Sequence, residues 1–132
     1  MFLTTKELEK YIQEKIKLLN ESSIEPHYFN DETRGDEGVY VYSNLNGYHY
    51  VISERGSETQ HKITYSVFEI TFWTLEGIVS EISYHSVPKD VQGDKRRYVF
   101  NKMIELLARV GDNYKHAGEL AIEEHLRIAP YR

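Results

Sequence analysis

Between Ser66 and Pro88 the chain leaves almost no face for water. Val67, Ile70, Thr74, Ile78 and Ile82 recur on one helical stripe, Phe68, Phe72, Leu75, Val79 and Ile82 fall on the stripe beside it, and no solvent face opens before Glu81. Such a segment must be covered on nearly every side, so it predicts the most buried helix of the protein. Ser66 with Glu69 three residues later is a capping box that opens it, and Pro88 closes it. β-branched residues and Gly77 lower its intrinsic helix preference, and a strand over residues 63–74 is the competing reading. A glycine in mid-helix costs about 1 kcal/mol relative to alanine, and close approach of another helix backbone is the expected compensation at Gly77.

The remaining periods supply the cover. Leu8, Tyr11, Ile12, Ile16 and Leu19 recur every three or four residues behind a Thr4–Glu7 capping box, predicting a helix over residues 5–20. Residues 21–38 have no period, contain Pro26, Gly35 and Gly38, and read as an acidic loop, with His27, Tyr28 and Phe29 as anchors folding it back. From Val39 the period becomes two. Val39, Val41 and Ser43 oppose Tyr40 and Tyr42, Asn44-Leu45-Asn46-Gly47 makes a turn, and Tyr48, Tyr50 and Ile52 alternate with His49, Val51 and Ser53. A short third strand over Glu58–Ile63 carries a charged face suited to a sheet edge. Beyond Pro88, Asp94 is placed to cap a helix carrying Val99, Phe100, Met103, Ile104, Leu106, Leu107 and Val110, and Asp112 to cap a last one ending at Pro130. The fold class that follows is α+β: a small antiparallel meander of about three strands (residues 39–63) packed against about four helices, most of them within residues 66–129.

A length of 132 residues fits a single domain, residues 1–132, with one core. Eleven Tyr against five Phe and one Trp is a high tyrosine load, suited to half-buried sheet faces or to a contact surface. The formal charge is −5, and residues 21–37 hold the whole excess, with Glu21, Glu25, Asp31, Glu32, Asp36 and Glu37 against Arg34 alone. A stretch of that kind attracts a basic partner and repels a phosphate backbone, so nucleic acid is not expected as a partner. The absence of Cys removes disulfide, thiolate and cysteine–metal chemistry. The opening MFLTTKELEKYIQEKIKLL lacks the basic start of a signal peptide, and no apolar run reaches bilayer length, so a soluble cytoplasmic protein without a membrane partner is the expectation.

Catalytic and metal sites find little support in the pattern. Six His are present, but there is no HExxH and no close pair in sequence, only a weak Glu123, Glu124 and His125 group, so no metal and no cofactor are expected. Glu54, Glu69 and Glu76 with His85 are the acid–base candidates, yet a carboxylate of this kind more often pairs with an arginine such as Arg55, Arg96 or Arg97. The chain reads as a non-enzyme, with a small enzyme using Glu54 and Glu69 as the least favoured alternative. Lys95, Arg96 and Arg97 stand in the first turn of their helix, the unfavourable end of its dipole for cations. Either Asp90 and Asp94 neutralise them or they serve an outside partner.

The order of features from Tyr48 to Tyr131 is similar to the immunity protein 63 family (Imm63) of bacterial polymorphic toxin systems. The resemblance rests on Glu54-Arg55-Gly56 after a Tyr/His strand, on Phe68-Glu69-Ile70-Thr71-Phe72, and on Asp94, Arg96, Arg97 and Phe100 within Gly93-Asp94-Lys95-Arg96-Arg97-Tyr98-Val99-Phe100 ahead of a Leu-Leu helix. Trp73 and Gly77 depart from the pattern, and residues 59–66 follow it loosely. The resemblance implies binding of a cognate protein toxin, with a basic nuclease as one candidate. In that reading Glu32, Asp36 and Glu37 steer the encounter, and Tyr40, Tyr42, Tyr48 and Tyr50 supply anchors. An adaptor for another cellular partner is the alternative.

Overall fold

The computed structural model describes residues 1–22, 24, 27–31 and 37–132. Its elements in order are α1 (Thr5–Lys17), β1 (His27–Tyr28), β2 (Gly38–Asn44), β3 (Gly47–Glu54), β4 (Ser57–Thr64), α2 (Val67–His85), α3 (Arg96–Val110) and α4 (Asp112–Ile128), an α+β arrangement. They form two compact units, Met1–Lys17 with Glu25–Thr74 and Leu18–Ile24 with Leu75–Arg132, and the division passes through α2.

In the first unit, α1 starts on the expected capping box. The Glu7 N–H donates to Thr4 Oγ1 at 3.1 Å, and the Thr4 N–H donates to Glu7 Oε1 at 2.9 Å. Leu8, Ile12 and Ile16 bury one stripe. The helix stops at Lys17, short of residue 20, and Asn20 then takes a left-handed φ of 54°. The Thr5 hydroxyl grips the end of β2, accepting the Ser43 N–H at 3.0 Å and donating to the Ser43 carbonyl at 3.3 Å.

The sheet has the order β1-β2-β3-β4 and is mixed, which departs from the three-stranded antiparallel meander read from the sequence. The extra strand is β1, which pairs parallel with β2 through His27↔Val39 and Tyr28↔Tyr40. Its Tyr28 ring stacks on Tyr40 with centroids 5.0 Å apart, so the aromatic anchor of the loop is real and two residues long. β2, β3 and β4 are antiparallel, in a register that sets Tyr42 opposite His49 and Val51 opposite His61, with an irregularity at Ile52/Ser53. Both faces of the central strands are filled: Tyr40 and Val51 are buried on one, Val41 and Tyr50 on the other. Lys62 crosses Tyr50 and Trp73 of α2, its Nζ 5.3 and 4.3 Å from the two ring centres. β4 is outermost, and only Thr64 at its end is buried.

α2 is a helix throughout, which settles the choice at residues 63–74. The Ser66 hydroxyl accepts the Glu69 N–H at 3.0 Å, and the Thr71 and Thr74 hydroxyls donate back to the Val67 and Ile70 carbonyls at 2.7 and 2.9 Å. Those local bonds let β-branched polar residues lie inside a buried helix without an unmet hydroxyl.

In the second unit, Gly77 is exposed, so the close approach expected there does not occur. It occurs at Gly118 of α4, where a Cβ would collide with Leu107 Cδ1 and stand 3.3 Å from Ile104 Cδ1, both on α3. Glycine is what lets these helices close on each other. Asp94 and Asp112 each sit one place away from the expected cap. Asp94 Oδ1 still accepts the Arg96 N–H at 3.0 Å although Lys95 holds the cap position, while Asp112 is the first helical residue behind Gly111 and makes no cap bond. Glu21 of the acidic stretch is held by Arg109, whose Nη1 lies 3.3 Å from its carboxylate and also donates to the Leu19 carbonyl at 2.6 Å.

Candidate partner-binding surface

The tyrosines expected as anchors divide sharply by exposure. Tyr40, Tyr48 and Tyr50 are 2%, 1% and 5% exposed and belong to the core of the first unit, because a sheet filled on both faces has no outward row for them. Tyr48 spends its hydroxyl as acceptor for the Leu3 N–H at 2.8 Å. Tyr42 is half-buried, stacked on His49 with centroids 4.5 Å apart and planes 7° apart. Burial first, then the charges of Glu58 and Asp31, pushes its phenol pKa up. Glu37 is exposed and accepts the Arg55 N–H at 3.1 Å. Glu32 and Asp36 lie outside the described residues.

Around Tyr42 the sheet assembles a polar chain that the sequence did not announce. His49 Nδ1 and His61 Nε2 are 2.8 Å apart, His49 Nε2 is 2.8 Å from Asn44 Oδ1, and His61 Nδ1 is 3.3 Å from Glu58 Oε2. The Asn46 N–H donates to the same Asn44 Oδ1 at 2.8 Å, which identifies that atom as the oxygen. His49 therefore carries its proton on Nε2 and accepts from His61 Nε2–H, and the chain closes on Glu58 when His61 is an imidazolium. Burial first and the neighbouring His61 second hold the His49 pKa below its ordinary value. The two histidines are twelve residues apart and meet only through strand register; the β3–β4 hairpin pattern was the one signal that points to them.

The residues of the family resemblance divide between a turn, two exposed carboxylates and a cluster at the start of α3. Arg55 and Gly56 take φ of 53° and 79° between the paired Glu54 and Ser57, the pattern of a type I′ hairpin turn. Glu54 and Glu69 are exposed. Asp94, with its side chain fully buried, accepts from Arg96 Nε at 3.1 and 3.2 Å, from Arg96 Nη2 at 2.7 Å, and from the Arg132 N–H at 3.1 Å. Arg96 then reaches onward, its Nη1 donating to the Ala129 carbonyl and its Nη2 to the Pro130 carbonyl, both at 2.8 Å. Two cations lie against the Tyr131 ring, with the Arg97 guanidinium 4.1 Å and the Arg96 guanidinium 5.6 Å from its centre. Phe100 completes the set beside His125 and Tyr131, at 5.6 and 6.3 Å between ring centres. The start of α3 thus staples the segment after α4. Hydrogen bonds from Arg96 foremost, then from the Arg132 N–H, hold the Asp94 carboxyl far below the usual carboxylate range against the opposing effect of burial.

Large apolar side chains remain in water at one end of the first unit. Leu45, Ile63 and Tyr65 are 98%, 50% and 76% exposed, and with Asn46 and Thr64 they line an open groove beside the β2–β3 turn. Among the described residues no group of three or more His, Asp or Glu could hold a metal ion, and no helix is long and apolar enough to cross a membrane.

No curated protein and no solved structure matches the chain. The family model for immunity protein 63 matches residues 44–124, a span that runs from the β2–β3 turn through the Asp94–Arg96 staple into α4. The chain belongs to the immunity protein 63 family, Imm63, and is an immunity protein.

Proposed function

We propose that this protein neutralises a cognate bacterial toxin by stoichiometric contact without any covalent step, and that its acidic first unit makes the contact. Family membership carries the reading. The first unit contains eleven Asp and Glu against seven Lys and Arg, a formal charge of −4 out of the total −5. A surface of that sign speeds the arrival of a basic protein, and a nuclease, built to hold a phosphate backbone, is the toxin class that fits. Asp94 and Arg96 support the same assignment from the other side, since their charges are already committed to each other and to the chain end. The encounter takes place in the cytoplasm, where such a toxin finds its substrate.

Co-expression with the product of the adjacent toxin gene tests this directly. The expected result is restored growth together with a one-to-one complex on size exclusion, formed more slowly as salt rises. Restored growth with no physical complex at any salt concentration defeats the contact mechanism.

A further inference from the structure

His49 and His61 are diagonal neighbours on one face of the sheet, since His49 lies opposite Ile63 and His61 opposite Val51. Their near nitrogens are 2.8 Å apart and their ring centres 5.1 Å, the spacing of a direct nitrogen-to-nitrogen hydrogen bond. One proton fills that contact. With both rings neutral, His61 Nε2–H donates to His49 Nδ1, and His49 Nε2–H donates to Asn44 Oδ1. A proton added to His61 goes on Nδ1, where Glu58 Oε2 stands 3.3 Å away to accept it, and every bond of the chain is kept. A second added proton has one place left, His49 Nδ1, and there it meets His61 Nε2–H head on. Two donors on two cations, with no acceptor between them, cannot stay 2.8 Å apart.

We propose that this pair is a proton-operated latch between β3 and β4, closed while it carries no added proton or one, and opened by the second. The two rings differ in which can yield. His49 is 4% exposed, stacked flat on Tyr42 and tied to the oxygen that also shapes the β2–β3 turn. The His61 side chain is 33% exposed and stands on the outermost strand, so His61 is the ring that leaves. Opening removes a side-chain tie between β3 and residues 57–61, the exposed stretch of β4. The groups around the pair are Tyr42 and Asn44 of β2, Glu58 of β4 and, through its charge on Tyr42, Asp31 ahead of β2. Lys62 points to the other face, over Tyr50 and Trp73. Glu58 meets the far nitrogen of His61, so it receives the bond of the first proton and does not stand between the rings to receive that of the second. Burial first, and His61 second, disfavour a charged His49, which keeps the latch shut at neutral pH. The latch stands apart from the toxin-binding reading and needs no partner.

Nitrogen-labelled imidazoles in the full chain, followed by NMR, report the latch. At pH 7 a through-bond coupling between His49 Nδ1 and His61 Nε2 is expected, with a proton on His49 Nε2. From pH 7 to pH 4.5 the coupling is expected to vanish as His49 titrates. In the same step, amide-exchange protection of β4 residues paired with β3 is expected to fall about tenfold or more while that of α1 holds. His61→Gln provides the control, because its side-chain amide can turn either its NH2 or its oxygen toward His49 Nδ1. Its β4 protection is expected to be the same at both ends of the range. Absence of the coupling at pH 7 overturns the contact on which the latch rests. Level β4 protection in the unmodified chain overturns the latch itself, as does a loss that occurs while His49 stays neutral. A loss of equal size in His61→Gln overturns it too, since acid then loosens β4 without the histidine pair.

Discussion

Arg96 closes on Asp94 with its Nη2 2.7 Å from Oδ2, and the same Nη2 donates to the Pro130 carbonyl at 2.8 Å, so one guanidinium ties the entry of α3 to the segment after α4. Removing one partner of such a pair leaves the other buried and unanswered, which is costlier than losing both. Asp94→Asn keeps the shape and loses the charge. It is expected to lower the melting temperature and to speed proteolysis near Tyr131, measured by calorimetry and by mass mapping of the first cuts. Asp94→Asn melting like the unmodified chain contradicts a structural role for the pair.

The same carboxylate sets an acid limit. The folded-state pKa of Asp94 is depressed, so the unfolded chain takes up this proton first, and the stability it supplies is complete above the ordinary carboxyl value near 4 and lost as pH falls below it. Melting temperature followed from pH 5 to pH 2 is expected to fall more steeply for the unmodified protein than for Asp94→Asn.

His49 acts one step higher on the pH scale. Its folded pKa lies below the ordinary value of 6.5, with burial as the larger cause and His61 as the smaller, so the linked stability is complete above about 6.5 and declines as pH drops beneath it. The groups facing it are Tyr42, Asn44 and His61, with Glu58 behind His61. His49→Phe keeps a ring against Tyr42 and removes the proton site. Its melting temperature is expected to change less between pH 7 and pH 5 than that of the unmodified chain, and an unchanged slope argues against the coupling.

Two glycines make an opposed pair. Gly118→Val must push Leu107, which is fully buried, and is expected to cost about 1–3 kcal/mol in urea titration. Gly77→Ala, at an exposed helical position, is expected to stabilise by about 0.4–1 kcal/mol. Reversal of these signs means that the helix contacts are misassigned.

Tyr48→Phe deletes only the hydroxyl that accepts the Leu3 N–H and is expected to cost about 0.5–1.5 kcal/mol while leaving toxin affinity within twofold. A large loss of affinity without loss of stability returns Tyr48 to the interface.

Local chemistry was legible in the sequence and long-range partnership was not. The Thr4–Glu7 box and the Ser66 cap are written three residues apart, and the period of two from Val39 gave which residues share a face along β2 and β3. What it withheld was what covers each face: Tyr28 covers Tyr40 only because β1 turns back parallel to β2, and a two-residue strand has no period to read. Asp94 could be named from the sequence as a neutraliser of the basic first turn of α3, but its further bond from the Arg132 N–H, 38 positions away, has no local signature. Gly77 and Gly118 are indistinguishable by helical position alone; only the neighbouring Leu107 tells which one another helix needs.

β4 stands at the border of its sheet with Ser57 to His61 in water, and a strand so placed offers a line of backbone amides to any sibling chain. Glu58, His61 and Lys62 interrupt that line with charge, and its pairing with β3 shifts register at Ile52/Ser53. Charge along that border works against edge-to-edge pairing with a second copy of the chain.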